Sequence, residues 1–74
     1  MTETPAPIQW YSGYTRYDQP RRLFWDGHWL EIQTVLARAA YPHGAGLTVL
    51  TAGRRRFRLD YDAQRDLWYC SPLP

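Results

Sequence analysis

The chain is 74 residues long, with nine basic residues against seven acidic and a net charge of +2. That length allows one domain at most, near the lower limit for a self-supporting core, and the single cysteine, Cys70, excludes an internal disulfide. His28, His43 and Cys70 lack zinc-finger spacing, which leaves aromatic bulk or association to hold the scaffold, and four Trp, six Tyr and two Phe supply the bulk.

No basic-then-apolar leader and no run of membrane-spanning length is present, so with a lone thiol the expected address is the cytoplasm, away from any membrane. All nine basic residues are arginine, a usage that a GC-rich genome produces without functional cause. The net charge is too small for an argument from bulk charge to nucleic acid. A local argument stays open.

Residues 1–7, "MTETPAP", are polar and proline-rich, and are expected to form a mobile tail. "IQWYSGYTRYDQP" follows, with Tyr11, Tyr14 and Tyr17 at intervals of three and breakers at Gly13 and Pro20. That spacing suits neither a strand nor a helical stripe. Residues 8–19 are therefore expected to be an irregular aromatic arm lying on the rest, a single β domain over residues 20–74.

From Pro20 onward the signals are short strands separated by turns. "RRLFW", the turn pair Asp26-Gly27 and "HWLEIQTVL" make a hairpin. A two-residue turn there sets Trp25 against His28, Phe24 against Trp29, Leu23 against Leu30 and Arg22 against Glu31. One face then carries Leu23, Trp25, Leu30 and Ile32. The other carries an aromatic pair and an opposite-charge pair, each worth about 0.2–1 kcal/mol in an antiparallel sheet.

Ile32, Val35, Leu36, Ala39 and Ala40 also fit a helical stripe. The β-branched Ile32, Thr34 and Val35 favour a strand to about Leu36, with an irregular or one-turn helical end over residues 37–40. "YPHGAG" reads as a loop. "LTVLTAGRRRFRLDYD" reads as a second hairpin turning near Ala52-Gly53. An odd loop length sets Val49 opposite Phe57 and Leu47 opposite Leu59, which keeps charge and core on separate faces. Its wet face is then Thr48, Leu50, Arg56, Arg58 and Asp60. "LWYC" is a last short strand before Pro72. The sum is an all-β fold: a small five-stranded antiparallel meander, rolled up or an open barrel.

Chemistry offers little to catalysis. Asp60, Asp62 and Asp66 sit where turns use aspartate, no Ser or Cys has an evident base, and Cys70 on a short strand reads as a buried structural thiol. No enzyme, cofactor or small-molecule substrate is expected. Arg54, Arg55, Arg56 and Arg58 form a basic ridge whose guanidinium groups suit phosphate, with Arg21 and Arg22 extending it and nearby rings available for bases. The competing reading is an ordinary solvated strand face. Phe24 and Trp29, on the side away from the core, are either covered by the arm through Trp10, Tyr11 or Tyr14, or form a patch for a protein partner or a second copy.

"LFWDGHWLEIQTVL" followed by "RRRFRLDYDAQRDLWYCSPL" resembles a family of small uncharacterised bacterial proteins from GC-rich lineages. Those domains occur alone or as tails on polymerase-like proteins of DNA-damage tolerance. The resemblance spans about residues 20–73 and implies a β-rich accessory module linked to DNA metabolism, with no catalytic residues carried over. The expectation is thus a non-catalytic module that associates with DNA or RNA through its arginines. The alternative is a protein-interaction or dimerisation module using Phe24, Trp29, Trp10 and Tyr14.

Overall fold

A computed structural model describes residues 4–10 and 20–74 of the chain. Among them there is no helix, hence none long and apolar enough to cross a membrane, and seven antiparallel strands form one curled sheet. The strands are β1 (Thr4–Pro5), β2 (Ile8–Trp10), β3 (Pro20–Trp25), β4 (His28–Tyr41), β5 (Gly44–Thr51), β6 (Arg56–Asp62) and β7 (Leu67–Pro72). Their order across the sheet is β1-β7-β6-β5-β4-β3-β2. The two end strands, β1 and β2, are halves of one segment broken only at Ala6-Pro7. The sheet therefore curls until a single stretch of chain borders both of its ends. The five predicted strands are all present, and the N-terminal segment adds to them.

The β3–β4 hairpin forms for the reason its sequence gives. Asp26 and Gly27 take φ values of 52° and 80°, the left-handed pair of a type I′ turn, whose twist matches that of the flanking strands. The register is the expected one, from Trp25 against His28 to Arg22 against Glu31. Leu23 is fully buried, whereas Phe24 on the opposite face is only partly covered.

β4 departs from expectation by running unbroken to Tyr41, so residues 37–40 are strand. Two irregularities in its pairing with β5 explain its misleading spacing. The register shifts between Ile32 and Thr34 and again between Val35 and Ala37, so Gln33 and Leu36 are extra residues. Each bulge adds one residue to the two-residue strand period. Ile32 and Val35 therefore fall on the same face, opposite the buried Thr51 and Val49. The stripe that imitates a helix is a twice-bulged strand. "YPHGAG" is correspondingly a tight hairpin turn at Pro42-His43, with Tyr41 paired to Gly44. Gly44 has no room for a side chain, since a Cβ there would lie 1.9 Å from the Tyr61 carbonyl oxygen.

Residues 51–55 lie between the last paired residues, Leu50 and Arg56, and this odd length gives the predicted pairs Val49–Phe57 and Leu47–Leu59. Arg54 turns the chain with φ 63°, and the Thr51 backbone N–H and hydroxyl both donate to the Arg55 carbonyl. β7 pairs with β6 from Asp62–Leu67 to Phe57–Pro72, slightly past the expected stop.

Inside the curl lie Leu23, Ile32, Leu47, Val49, Phe57, Leu59, Trp68, Cys70 and Ala6. Rings interlock there: Trp25 meets Phe57 edge-on at 5.5 Å, and Trp68 contacts Tyr61 at 5.1 Å and Trp10 at 5.2 Å. Such bulk offsets the shortness of the chain. The burial of Ala6 corrects the expected tail. Thr4 and Pro5 pair with Cys70 and Tyr69 of β7, and the Ala6 N–H donates to the Trp68 carbonyl. Ile8–Trp10, expected to be irregular, is a strand on β3. The remainder of the aromatic arm, residues 11–19, lies outside the described residues.

Candidate nucleic-acid interface

The alternation of β6 decides where its arginines stand. Phe57 and Leu59 point inward and are fully buried, whereas Arg56 and Arg58 take the outer face, opposite Leu50 and Thr48. Arg54 is exposed at the turn. Arg55 shares the inward side with Phe57 but sits past the end of the core, its guanidinium carbon 4.9 Å from the Phe57 ring centroid. A cation over a ring face is attracted by the ring quadrupole, so Phe57 anchors Arg55 from below while Trp25 meets the same ring edge-on. Arg56 donates to the main-chain oxygen of Pro74.

Arg58 behaves differently and corrects the expected ridge. Its Nε lies 3.1 Å from Asp60 Oδ1, and its Nη2 donates to the Tyr41 hydroxyl. The guanidinium crosses Gly46, where a Cβ would come within 2.5 Å of Nη2. Burial alone would lower its pKa, but Asp60 and Tyr41 outweigh that and hold the charge more firmly than usual. Arg58 is committed inside the molecule, so the contact surface is shorter than the sequence implied.

Pairing gathers the other arginines. Ile32 of β4 is opposite Thr51, and the Ala52 N–H donates to the Glu31 carbonyl, which fastens the 51–55 connection beside β4. Arg22 pairs across with Glu31 on the next strand. Arg21 and Arg22 therefore lie at the same end of the sheet as Arg54, Arg55 and Arg56. The Nε of Arg22 is enclosed without a hydrogen-bond partner. At the other end the aspartates are met by partners: Arg65 Nε is 3.9 Å from Asp62 Oδ2, Asp62 also accepts the Gln64 and Arg65 main-chain N–H groups, and Asp66 accepts the Tyr61 hydroxyl. Among the described residues, Arg54, Arg55 and Arg56 have no aspartate or glutamate partner.

The aromatic residues separate in the same way. Phe24 and Trp29 pack edge to face at 5.2 Å on the outer side of the β3–β4 hairpin, with Trp29 42% exposed. Trp10, expected beside them, instead turns inward onto Trp68 and the main core. Tyr11 and Tyr14 are outside the described residues. At the hairpin end a groove of about 480 Å³ is lined by Pro5, Pro7, Phe24, Trp25 and Asp26. Sequence reasoning missed Pro5, Pro7 and Asp26 in this role. The two prolines carried no strand signal, and Asp26 had a sufficient explanation as a turn residue.

Cys70 is fully buried, and that burial pushes its thiol up to about 12, with the Arg55 charge pulling weakly the other way. A thiol held neutral is a poor nucleophile and a poor metal ligand. Among the described residues, no three His, Cys, Asp or Glu side chains converge as a metal site. The chain matches no family model, no curated protein and no solved structure. The reading of its function therefore rests on its own geometry.

Proposed function

We propose that this protein is a non-catalytic module that binds nucleic acid, with Arg54, Arg55 and Arg56 on phosphates and Arg21 and Arg22 extending the contact along the same end of the sheet. The observation that carries this reading is the contrast between two sets of arginines. Arg58 and Arg65 are paired with aspartates, whereas the run at the β5–β6 turn meets no aspartate or glutamate side chain among the described residues. A cluster of guanidinium groups with no acidic side chain paired to it favours a polyanion, and the rings of the neighbouring hairpin suit unstacked bases.

The test is fluorescence anisotropy of a labelled single-stranded oligomer. Affinity should fall linearly in log–log terms as salt rises, with a slope of about −0.7 per phosphate contacted. Arg54→Gln, Arg55→Gln and Arg56→Gln should each reduce that slope. An oligomer indifferent to micromolar protein at low salt removes the proposal.

A second reading, a protein-interaction or self-association module, is supported by Trp29 at 42% exposure beside Phe24, and by Leu36 at 50% and Tyr41 at 48% on the long β4. Exposed rings and apolar side chains favour contact with another chain. Light scattering across a concentration series separates the two, because self-association predicts a mass that rises with concentration.

A further inference from the structure

We infer that the groove lined by Pro5, Pro7, Phe24, Trp25 and Asp26 receives one unpaired guanine base of a single strand whose phosphates lie on the Arg54–Arg56 turn. This rests on the nucleic-acid reading and narrows it to a strand type and a base. Three observations converge.

The first is composition. Two aromatic and two proline residues line it, and a groove of about 480 Å³ is within the range that holds small planar ligands. Stacking of this kind is open to any base with an exposed face, which duplex pairing would deny.

The second is position. Trp25 of the groove and the Arg55 guanidinium flank the same Phe57 ring, at 5.5 Å and 4.9 Å from its centroid. A base stacked against the groove wall thus belongs to a strand whose backbone passes over the arginine turn. A negatively charged backbone is in turn kept out of the groove itself by Asp26.

The third is the chemistry of Asp26. Its carboxylate has no ion-pair partner among the described residues, and an ionised carboxylate can only accept hydrogen bonds. Guanine is the one common base that presents two adjacent donors, N1–H and the N2 amino group, on its pairing edge. Adenine and cytosine set a lone-pair nitrogen beside their amino group, and thymine sets carbonyls on both sides of its N–H. A carboxylate beside a stacking groove therefore favours guanine over the others.

The experiment uses thymidine oligomers with one central position occupied by guanine, hypoxanthine, adenine, cytosine or thymine, titrated by anisotropy with the full-length protein. Hypoxanthine lacks the N2 amino group, so it tests the contact without altering the protein. Asp26→Asn tests it from the other side, because asparagine tolerates the left-handed turn position nearly as well as aspartate and keeps the hairpin. Guanine should bind roughly tenfold tighter than hypoxanthine or adenine, and Asp26→Asn should compress that ratio to below about twofold while leaving the salt slope unchanged. Equal affinity for all five oligomers, or a guanine preference that Asp26→Asn leaves intact, overturns the groove assignment and spares the arginine reading. Failure to bind any oligomer overturns both.

Discussion

Arg56 and Arg58 stand two residues apart on one strand face, yet only Arg58 is met by a carboxylate and a phenol. Its side chain and that of Asp60 remain about one-third exposed, at 35% and 28%, and pairs of this kind contribute about 0–1 kcal/mol. Arg58→Gln should therefore cost no more than about 1 kcal/mol in a urea melt and leave oligomer affinity within about twofold. Arg56→Gln should leave the melt almost unchanged and weaken binding several-fold at low salt. The reverse result would move the contact to the other end of the sheet. Cys70 gives a second test at this scale. Its thiol ordinarily titrates near 9.0 and is raised to about 12 by burial in the fold, so the folded chain keeps a proton that the unfolded chain releases. The stability this contributes is intact below about pH 9 and declines as pH rises from there toward 12. Relative to Cys70→Ala, the wild-type protein should lose up to about 1.4 kcal/mol per pH unit within that window. Parallel stability curves would show that the thiol is not held neutral.

The strands are held by backbone fit as much as by side chains, and Gly44 is the tightest point. An added Cβ would meet the Tyr61 carbonyl at 1.9 Å, backbone against backbone, whereas a Cβ on Gly53 would meet nothing within 4 Å. Gly44→Ala should cost at least about 2–3 kcal/mol by forcing β5 away from β6, and Gly53→Ala should be nearly neutral; chemical denaturation of the two variants checks both. Similar costs for the two would mean that β5 and β6 are not packed this closely. The elements also show what a sequence can and cannot announce. The β3–β4 hairpin was legible to the residue because turn chemistry and two-residue alternation agree there. β4 beyond Glu31 was ambiguous because Gln33 and Leu36 each break that alternation, turning strand spacing into a threefold repeat. β1 and β2 were invisible, since strands this short have no period and take their register from partners far along the chain, Thr4 from Cys70 and Ile8 from Leu23. The candidate site divides likewise. The outward direction of Arg56 followed from parity, and the neutralising Asp60 is local. Tyr41, the other partner of Arg58, is 17 residues away in sequence and brought near only by the fold.

At the scale of the molecule, topology converts a weakly charged chain into one with unlike ends. The β5–β6 connection and the start of β3 put arginines at one end, and the β6–β7 turn puts aspartates at the other. That separation depends on the sheet staying curled, and residues 4–10 border both ends of the curl. Thr4–Pro5 covers the edge of β7 and Ile8–Trp10 covers the edge of β3. Between them the Ala6 N–H donates to the Trp68 carbonyl and the Pro7 carbonyl accepts the Phe24 N–H. Each such bond contributes about 0.5–1.5 kcal/mol net, and removing them also opens the core beside Ala6. Deletion of residues 1–7 should therefore lower stability by about 2–4 kcal/mol, a large share of what a chain this small can hold. It should also make Cys70, the residue opposite Thr4, accessible to a thiol reagent that leaves the intact protein unmodified under native conditions. Oligomer binding should weaken in the truncated protein, because Pro5 and Pro7 leave the groove and the hairpin bearing Trp25 loses its tie to the N-terminal strand. If the truncated chain instead melts with the full-length protein and Cys70 stays protected, the segment is an appendage. The sheet must then hold its curvature through β2–β7 alone.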